Sequence, residues 1–206
     1  PLRRNVDGCA DSGYCGLGCP VDAKQAMGIT YIPDAIKAGM RLYCDVEATR
    51  LVVEGDNIRA VQARALSRET NAPSGATLEV KAKLTVVSGG AINSPALLLR
   101  SGLGEEGPVG KRTFLHPVVT LAARYPEEVE GFFGAPQSIG SHQFIDRGPD
   151  KIGFFLEVPP LQPVLASGGV SAMGIDQVAF MRELPYLGVI IALHVDGLLP
   201  GDDGGT

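Results

Sequence analysis

The chain has 206 residues, 45% of them hydrophobic and 20% charged, with 18 Lys and Arg against 23 Asp and Glu for a formal net charge of −5. This is the composition of a globular protein, long enough for one domain with a core or for two partial ones. The acidic balance and the lack of clustered Lys and Arg argue against a nucleic-acid surface; no apolar run reaches membrane-spanning length and no signal peptide is present, which favours the cytoplasm.

Residues 1–29 hold Cys9, Cys15 and Cys19, four glycines before Met27 and no apolar period, and read as a loop held by tertiary contacts. Three thiols in eleven residues leave open a disulfide with a spare thiol, a metal site or buried structural thiols. Zinc would need a fourth ligand, and no His lies nearby in sequence. The stretch Gly13 to Gly18 follows no apolar strand and opens no helix, so it is not a dinucleotide-binding fingerprint. A helix is expected after Thr30, with Ile32, Ala35 and Ile36 on one face and Gly39 at its end. Three β-leaning runs follow, Arg41 to Val46, Ala48 to Glu54 and Ile58 to Leu66, with Gly55-Asp56-Asn57 as a tight turn, and they read as an antiparallel meander. A polar loop spans Ser67 to Ala76, and Thr77 to Lys81 is another short strand.

Leu84-Thr-Val-Val-Ser-Gly-Gly90 reads as a buried strand closing on two glycines. Ser94 is suited to cap a following helix with Pro95 in its first position, and Gly102 to stop it. Beyond Gly104, Pro and Gly recur every few residues, and Val118 to Tyr125, Lys151 to Val158 and Val189 to Val195 are the clearest strands, with Val178 to Leu184 a helix between the later two. The expected fold class is mixed α/β.

From Gly90 to Gly104 the sequence Gly-Ala-Ile-Asn-Ser-Pro-Ala-Leu-Leu-Leu-Arg-Ser-Gly-Leu-Gly resembles, position for position, the second signature of the glucose-methanol-choline (GMC) flavoprotein oxidoreductases. Cys15-Gly-Leu-Gly-Cys-Pro-Val-Asp-Ala-Lys24, followed by Thr30-Tyr-Ile-Pro-Asp-Ala35, is similar to bacterial GMC alcohol oxidoreductases and long-chain alcohol oxidases. The resemblance implies residues 1–117 as part of an FAD-binding domain, with an antiparallel meander and a returning strand and helix. It implies residues 118–206 as part of an antiparallel-sheet substrate domain. It also implies that the chain, which starts at Pro1 without a Met, is an internal piece of a longer polypeptide.

On that resemblance the cofactor is FAD. Ala48, in Ala48-Thr-Arg-Leu51, stands where relatives usually place a Val whose backbone meets the adenine. Ser88, Gly89 and Gly90 stand where the returning strand passes under ribose and pyrophosphate; on their own, these small residues equally suit a close strand–helix crossing. His116, in Val109-Gly-Lys-Arg-Thr-Phe-Leu-His-Pro117, is a candidate for lining the active site or for an oriented structural role, although Thr113 replaces the family's usual Asn. The spacing of Cys9, Cys15 and Cys19 is also similar to sugar dehydrogenases whose thiolates hold a three-iron cluster. The implied reaction is oxidation of a small-molecule alcohol, with hydride passing to flavin N5 and a His base lying outside this chain. Two alternatives are an electron-transferring dehydrogenase with an iron–sulfur cluster, and a non-catalytic flavin- or metal-binding module.

Overall fold

A computed structural model describes residues 1–149 and 151–196. The elements in chain order are α1 (Tyr31–Lys37), β1 (Val46–Glu54), β2 (Asn57–Leu66), β3 (Pro73–Val80), α2 (Gly90–Arg100), β4 (Val118–Arg124), β5 (Gly140–Ser141), β6 (Phe154–Glu157), α3 (Pro163–Gly169), α4 (Ile175–Glu183) and β7 (Leu187–His194). The mixed α/β class with antiparallel sheets is the one expected. The described residues divide into two compact units, one running from Gly39 to Phe114 and the other combining Pro1–Ala38 with residues 115–196.

In the unit from Gly39 to Phe114, β1, β2 and β3 form an antiparallel sheet in that order. Gly55 and Asp56 close the first hairpin between the paired residues Glu54 and Asn57. Gly55 has φ +58, which glycine adopts without a Cβ clash. The register of β1 against β2 slips between Ala48 and Arg50, so Thr49 is bulged out of the ladder. Its hydroxyl still finds an acceptor, donating to the Gln62 carbonyl at 3.1 Å. Glu47 and Arg64, directly opposite across the ladder, pair at 2.7 Å, but both are about half exposed and the pair adds little. The core of this unit is Leu51, Ala60, Ala63 and Leu97, all buried.

Packing of α2 on β1 is fixed by one side chain. Ser101, just past the helix and buried, donates its hydroxyl to the Leu97 carbonyl at 2.6 Å and accepts from the Leu51 N–H at 2.9 Å. Because β1 is an edge strand, the Leu51 N–H has no strand partner on that side, and the serine oxygen supplies one.

Several expected boundaries move. The helix starts at Gly90 with Gly89 as N-cap, four residues ahead of Ser94, and Pro95 lies inside it. The two glycines make the earlier start possible: Gly90 takes φ +78, and the cap position tolerates Gly. The strand expected over Leu84 to Val87 is absent, with Leu84 and Val86 largely exposed, because no strand pairs with it among the described residues. Arg41 to Val46 is irregular up to Asp45, which turns with φ +54. β3 begins at Pro73, earlier than the polar loop suggested; a proline without an N–H is acceptable at the first residue of a strand on the sheet edge.

The unit formed by Pro1–Ala38 and the residues from Leu115 is built on an antiparallel sheet ordered β4-β7-β6-β5. The long pairing of β4 with β7 runs from Val118 opposite Leu193 to Arg124 opposite Leu187. The N-terminal loop is pinned at both ends. Val6 bridges Lys24, the Asp7 N–H donates to the Ala23 carbonyl at 2.9 Å, and the Gly134 N–H donates to the Asp11 carbonyl at 2.7 Å. Gln162, only 1% exposed, reaches in from the start of α3 and donates through Nε2 to the Gly13 carbonyl. Gly13 has no room for a side chain, since a Cβ there would run into the Phe132 carbonyl. α1 lies where expected, but Thr30 does not cap it through its side chain; its hydroxyl turns back to the Ala26 carbonyl at 2.9 Å. α3 and the short β5 were not anticipated, since a seven-residue helix of mixed small residues and a two-residue strand carry no periodicity.

Candidate functional site

A cavity of about 450 Å3 in the Gly39–Phe114 unit is lined by β1, the extended segment from Thr85 to Gly89 and α2. β1 contributes Glu47, Ala48 and Leu51, the segment Thr85, Val87, Ser88 and Gly89, and the helix Asn93, Leu97 and Arg100. Three of the four residues expected at a cofactor, Ala48, Ser88 and Gly89, therefore meet around one cavity although forty positions separate the first from the others.

Local structure explains why the cavity is there. The bulge at Thr49 lies beside Ala48, and β1 is an edge strand whose outer backbone is not occupied by another strand among the described residues. Its neighbour Leu51 uses that outer side to reach Ser101, which ties α2 to the strand and sets the width of the gap. Gly89 is small for a reason internal to the helix: a Cβ there would sit 3.2 Å from the Asn93 Cβ and 3.3 Å from the Ser94 nitrogen. The small residue thus serves the first turn of α2 and not a strand crossing. Gly90 does not line the cavity, and its positive φ is what turns the chain from the extended segment into α2. Sequence reasoning missed Arg100, which adds a cation to a cavity lining that also includes Glu47; only its helical spacing from Asn93 and Leu97, seven and three residues away, signalled the shared face.

The other unit has an apolar groove of about 440 Å3 against β4, β6 and β7. Leu121, Tyr125, Val129, Leu156, Leu161 and Ile190 are among its lining residues, none of which is charged. The histidines lie elsewhere. His116 is exposed just ahead of β4, His142 packs against Phe155 with ring centroids 4.7 Å apart, and His194 at the end of β7 places Nδ1 3.2 Å from the Pro117 carbonyl.

The three loop cysteines converge. Cys9, Cys15 and Cys19 all line one narrow cavity together with Lys24 and Gly134. Among the described residues no group of three or more His, Cys, Asp or Glu side chains is placed to hold a metal ion. Hydrogen bonding from the backbone of Lys24, with Val21 and Ala23 adding to it, holds the Cys19 thiol below its ordinary pKa against the opposing effects of burial and the Asp22 charge. No helix among the described residues is long and apolar enough to cross a membrane.

Comparison with known proteins gives the site its context. The family model for GMC oxidoreductase matches residues 1–118, which include the cysteine loop, the meander, the 450 Å3 cavity and α2. An uncharacterized GMC-type oxidoreductase of Mycobacterium tuberculosis is 30% identical over 196 residues, 95% of this chain and 29% of that protein. A GMC-type oxidoreductase of Sinorhizobium fredii is 33% identical over 129 residues, 63% of this chain and 25% of that protein. A long-chain-alcohol oxidase of Arabidopsis thaliana is 31% identical over 132 residues, 62% of this chain and 18% of that protein. The chain thus spans less than a third of the length of these curated relatives. With a family match over more than half its length, centred on the residues that shape the cavity, the chain belongs to the GMC oxidoreductase family.

Proposed function

We propose that this chain is part of an FAD-dependent enzyme that oxidises the CH–OH group of an alcohol, and that its share of the work is to hold the adenosine and pyrophosphate half of the flavin. The observation that carries this reading is the meeting of Ala48, Ser88 and Gly89 around one cavity between an edge strand and a helix. The residues fit the group. An edge strand offers backbone donors and acceptors of the kind that read an adenine edge, a backbone contact tolerates Ala where relatives carry Val, and the Gly89-Gly90 turn brings bare backbone close to the cavity. When bound, the flavin accepts a hydride at N5 from the alcohol carbon.

The residues present here bind and orient. The proton acceptor for the hydroxyl is proposed to be a His outside these 206 residues. A medium- to long-chain aliphatic alcohol is the proposed substrate class. Support for it comes from the uncharged 440 Å3 groove against β4, β6 and β7 and from relatives whose names are long-chain-alcohol oxidase.

The test is made on the full-length polypeptide. Ala48→Val is expected to keep FAD at the wild-type stoichiometry, while Ala48→Trp, which fills the cavity, is expected to lower FAD content at least about tenfold. Equal flavin content in Ala48→Trp and wild type would refute the assignment. A rate that rises with alcohol chain length supports the substrate class, and a rate independent of chain length removes it. An iron assay on the same sample separates this reading from the electron-transferring alternative with a cluster on Cys9, Cys15 and Cys19.

A further inference from the structure

The cysteine loop carries chemistry that the oxidation of an alcohol does not use. Its cavity, about 10 Å3, has room for little more than a water-sized molecule and for no organic substrate. What it does bring together is thiols. Cys15 and Cys19 are half-buried on its wall, whereas Cys9 is exposed and its thiol is turned toward the Asp11 carboxylate, 3.6 Å from Oδ1.

The backbone between Cys15 and Cys19 folds back on itself. The N–H groups of Leu17 and Gly18 both donate to the Tyr14 carbonyl at 3.0 Å, and the next turn is closed by the Asp22 N–H on the Cys19 carbonyl at 3.4 Å. Lys24 then links the two halves of the loop. Its Nζ donates to the Cys15 carbonyl at 2.9 Å, and its backbone is among the groups that polarise the Cys19 sulfur. Cys15 and Cys19 thus line one cavity, with Lys24, itself on that cavity, tied to the Cys15 backbone.

We propose that Cys19 is a site of reversible oxidation by hydrogen peroxide, and that Cys15 is its resolving partner. The Cys19 thiolate attacks one peroxide oxygen, so that an S–O bond forms, the O–O bond breaks and the departing hydroxide leaves as water after taking a proton. The Cys15 thiol then attacks the sulfenic sulfur: an S–S bond forms, the S–O bond breaks and the second oxygen leaves as water with the Cys15 proton. Two thiols lose two electrons in all, and one hydrogen peroxide becomes two waters. The depressed pKa of Cys19 raises the fraction of reactive thiolate at neutral pH. The proposal stands independently of whether the protein oxidises alcohols.

The experiment uses the full-length polypeptide purified without oxygen. In wild type, Cys19 is expected to alkylate with iodoacetamide at pH 7 more than about tenfold faster than the exposed Cys44, a comparison that needs no variant. After hydrogen peroxide and blocking of free thiols, peptide mass spectrometry is expected to find Cys15 joined to Cys19, with dithiothreitol restoring both. In Cys15→Ser, peroxide should leave a sulfenic acid on Cys19 that dimedone traps. The proposal is overturned if Cys19 alkylates no faster than Cys44, if peroxide joins Cys9 in place of Cys15, or if the purified protein holds iron on these thiols.

Discussion

Replacing Ser101 by Ala tests the idea that one hydroxyl sets the seat of α2 on β1 and with it the shape of the cavity. The Ser101 oxygen serves two buried groups, accepting from the Leu51 N–H at 2.9 Å and donating to the Leu97 carbonyl at 2.6 Å. Leu51 is 2% exposed, so the alanine variant strands its N–H away from water, whereas the Leu97 carbonyl keeps the Ser101 N–H at 3.2 Å as a partner. The dominant cost is therefore one unsatisfied buried donor, about 1–3 kcal/mol. At about 1.4 kcal/mol per tenfold, that corresponds to roughly 5- to 150-fold in the opening equilibrium of this part of the chain. Hydrogen exchange read by mass spectrometry on the peptide covering β1 should show faster exchange by such a factor in Ser101→Ala. The peptide covering β4, in the other unit, should be unchanged. Ser101→Thr, which keeps an oxygen at the same place, should restore most of the protection. Exchange of the β1 peptide within about twofold of wild type in Ser101→Ala would refute the reasoning, because it would mean that the Leu51 N–H does not depend on this oxygen.

Gln162→Leu removes the donor to the buried Gly13 carbonyl, but it also removes Oε1, a buried acceptor with no partner among the described residues, so the two effects offset in part. The expected net loss is about 1 kcal/mol, seen as roughly fivefold faster proteolysis within residues 9–24; an unchanged cleavage rate counts against the anchor. Arg124 pairs with Glu183 at 2.6 Å and lies 5.3 Å above the Tyr186 ring, but its side chain is 58% exposed, so Arg124→Met should cost no more than about 1 kcal/mol in denaturant titration. Tyr186 has its pKa raised, first by its hydrogen bond to Glu128 and then by the charge of that carboxylate. A folded-state value above the unfolded one means that this contribution to stability is fully present below the ordinary tyrosine pKa. It is lost as pH rises through the folded value. Ultraviolet titration of the tyrosines should therefore show Tyr186 ionising late, and Glu128→Gln should bring it back toward its neighbours; a titration curve that this substitution leaves unmoved would contradict the contact.

Some of this architecture is written in short-range signals. The hairpin of β1 and β2 is legible because Gly55-Asp56 sits between two β-branched runs, and the strands β4 and β7 because Val118 to Arg124 and Leu187 to His194 are apolar and unbroken. The start of α2 was misplaced for an identifiable reason. Ser94 followed by Pro95 is a strong local start signal, but Gly90 with φ +78 lets the helix begin a turn earlier, with Pro95 taken into the helix at the loss of one helix hydrogen bond and some crowding of the preceding turn. The strand expected over Leu84 to Val87 shows the opposite limit. Its β-branched residues state a preference, but a strand exists only through hydrogen bonds to a neighbour, and none of the described residues provides one.

The candidate site divides along the same line. That Ala48, Ser88 and Gly89 share a cavity could be anticipated from motifs, because their placement depends on local backbone: an edge strand, a bulge and the turn into a helix. Arg100 and Ser101 could not be, because what they do depends on where α2 lies against β1, a contact between positions fifty apart in sequence. The cysteine loop combines both cases. Its spacing announced three neighbouring thiols, but that all three line one cavity, with Cys9 turned to Asp11, depends on a backbone held by Lys24 and Gln162 from outside the run of cysteines. A pattern of residue types can thus name the chemistry available in a loop, while the distant residues that pin its backbone set where those groups stand.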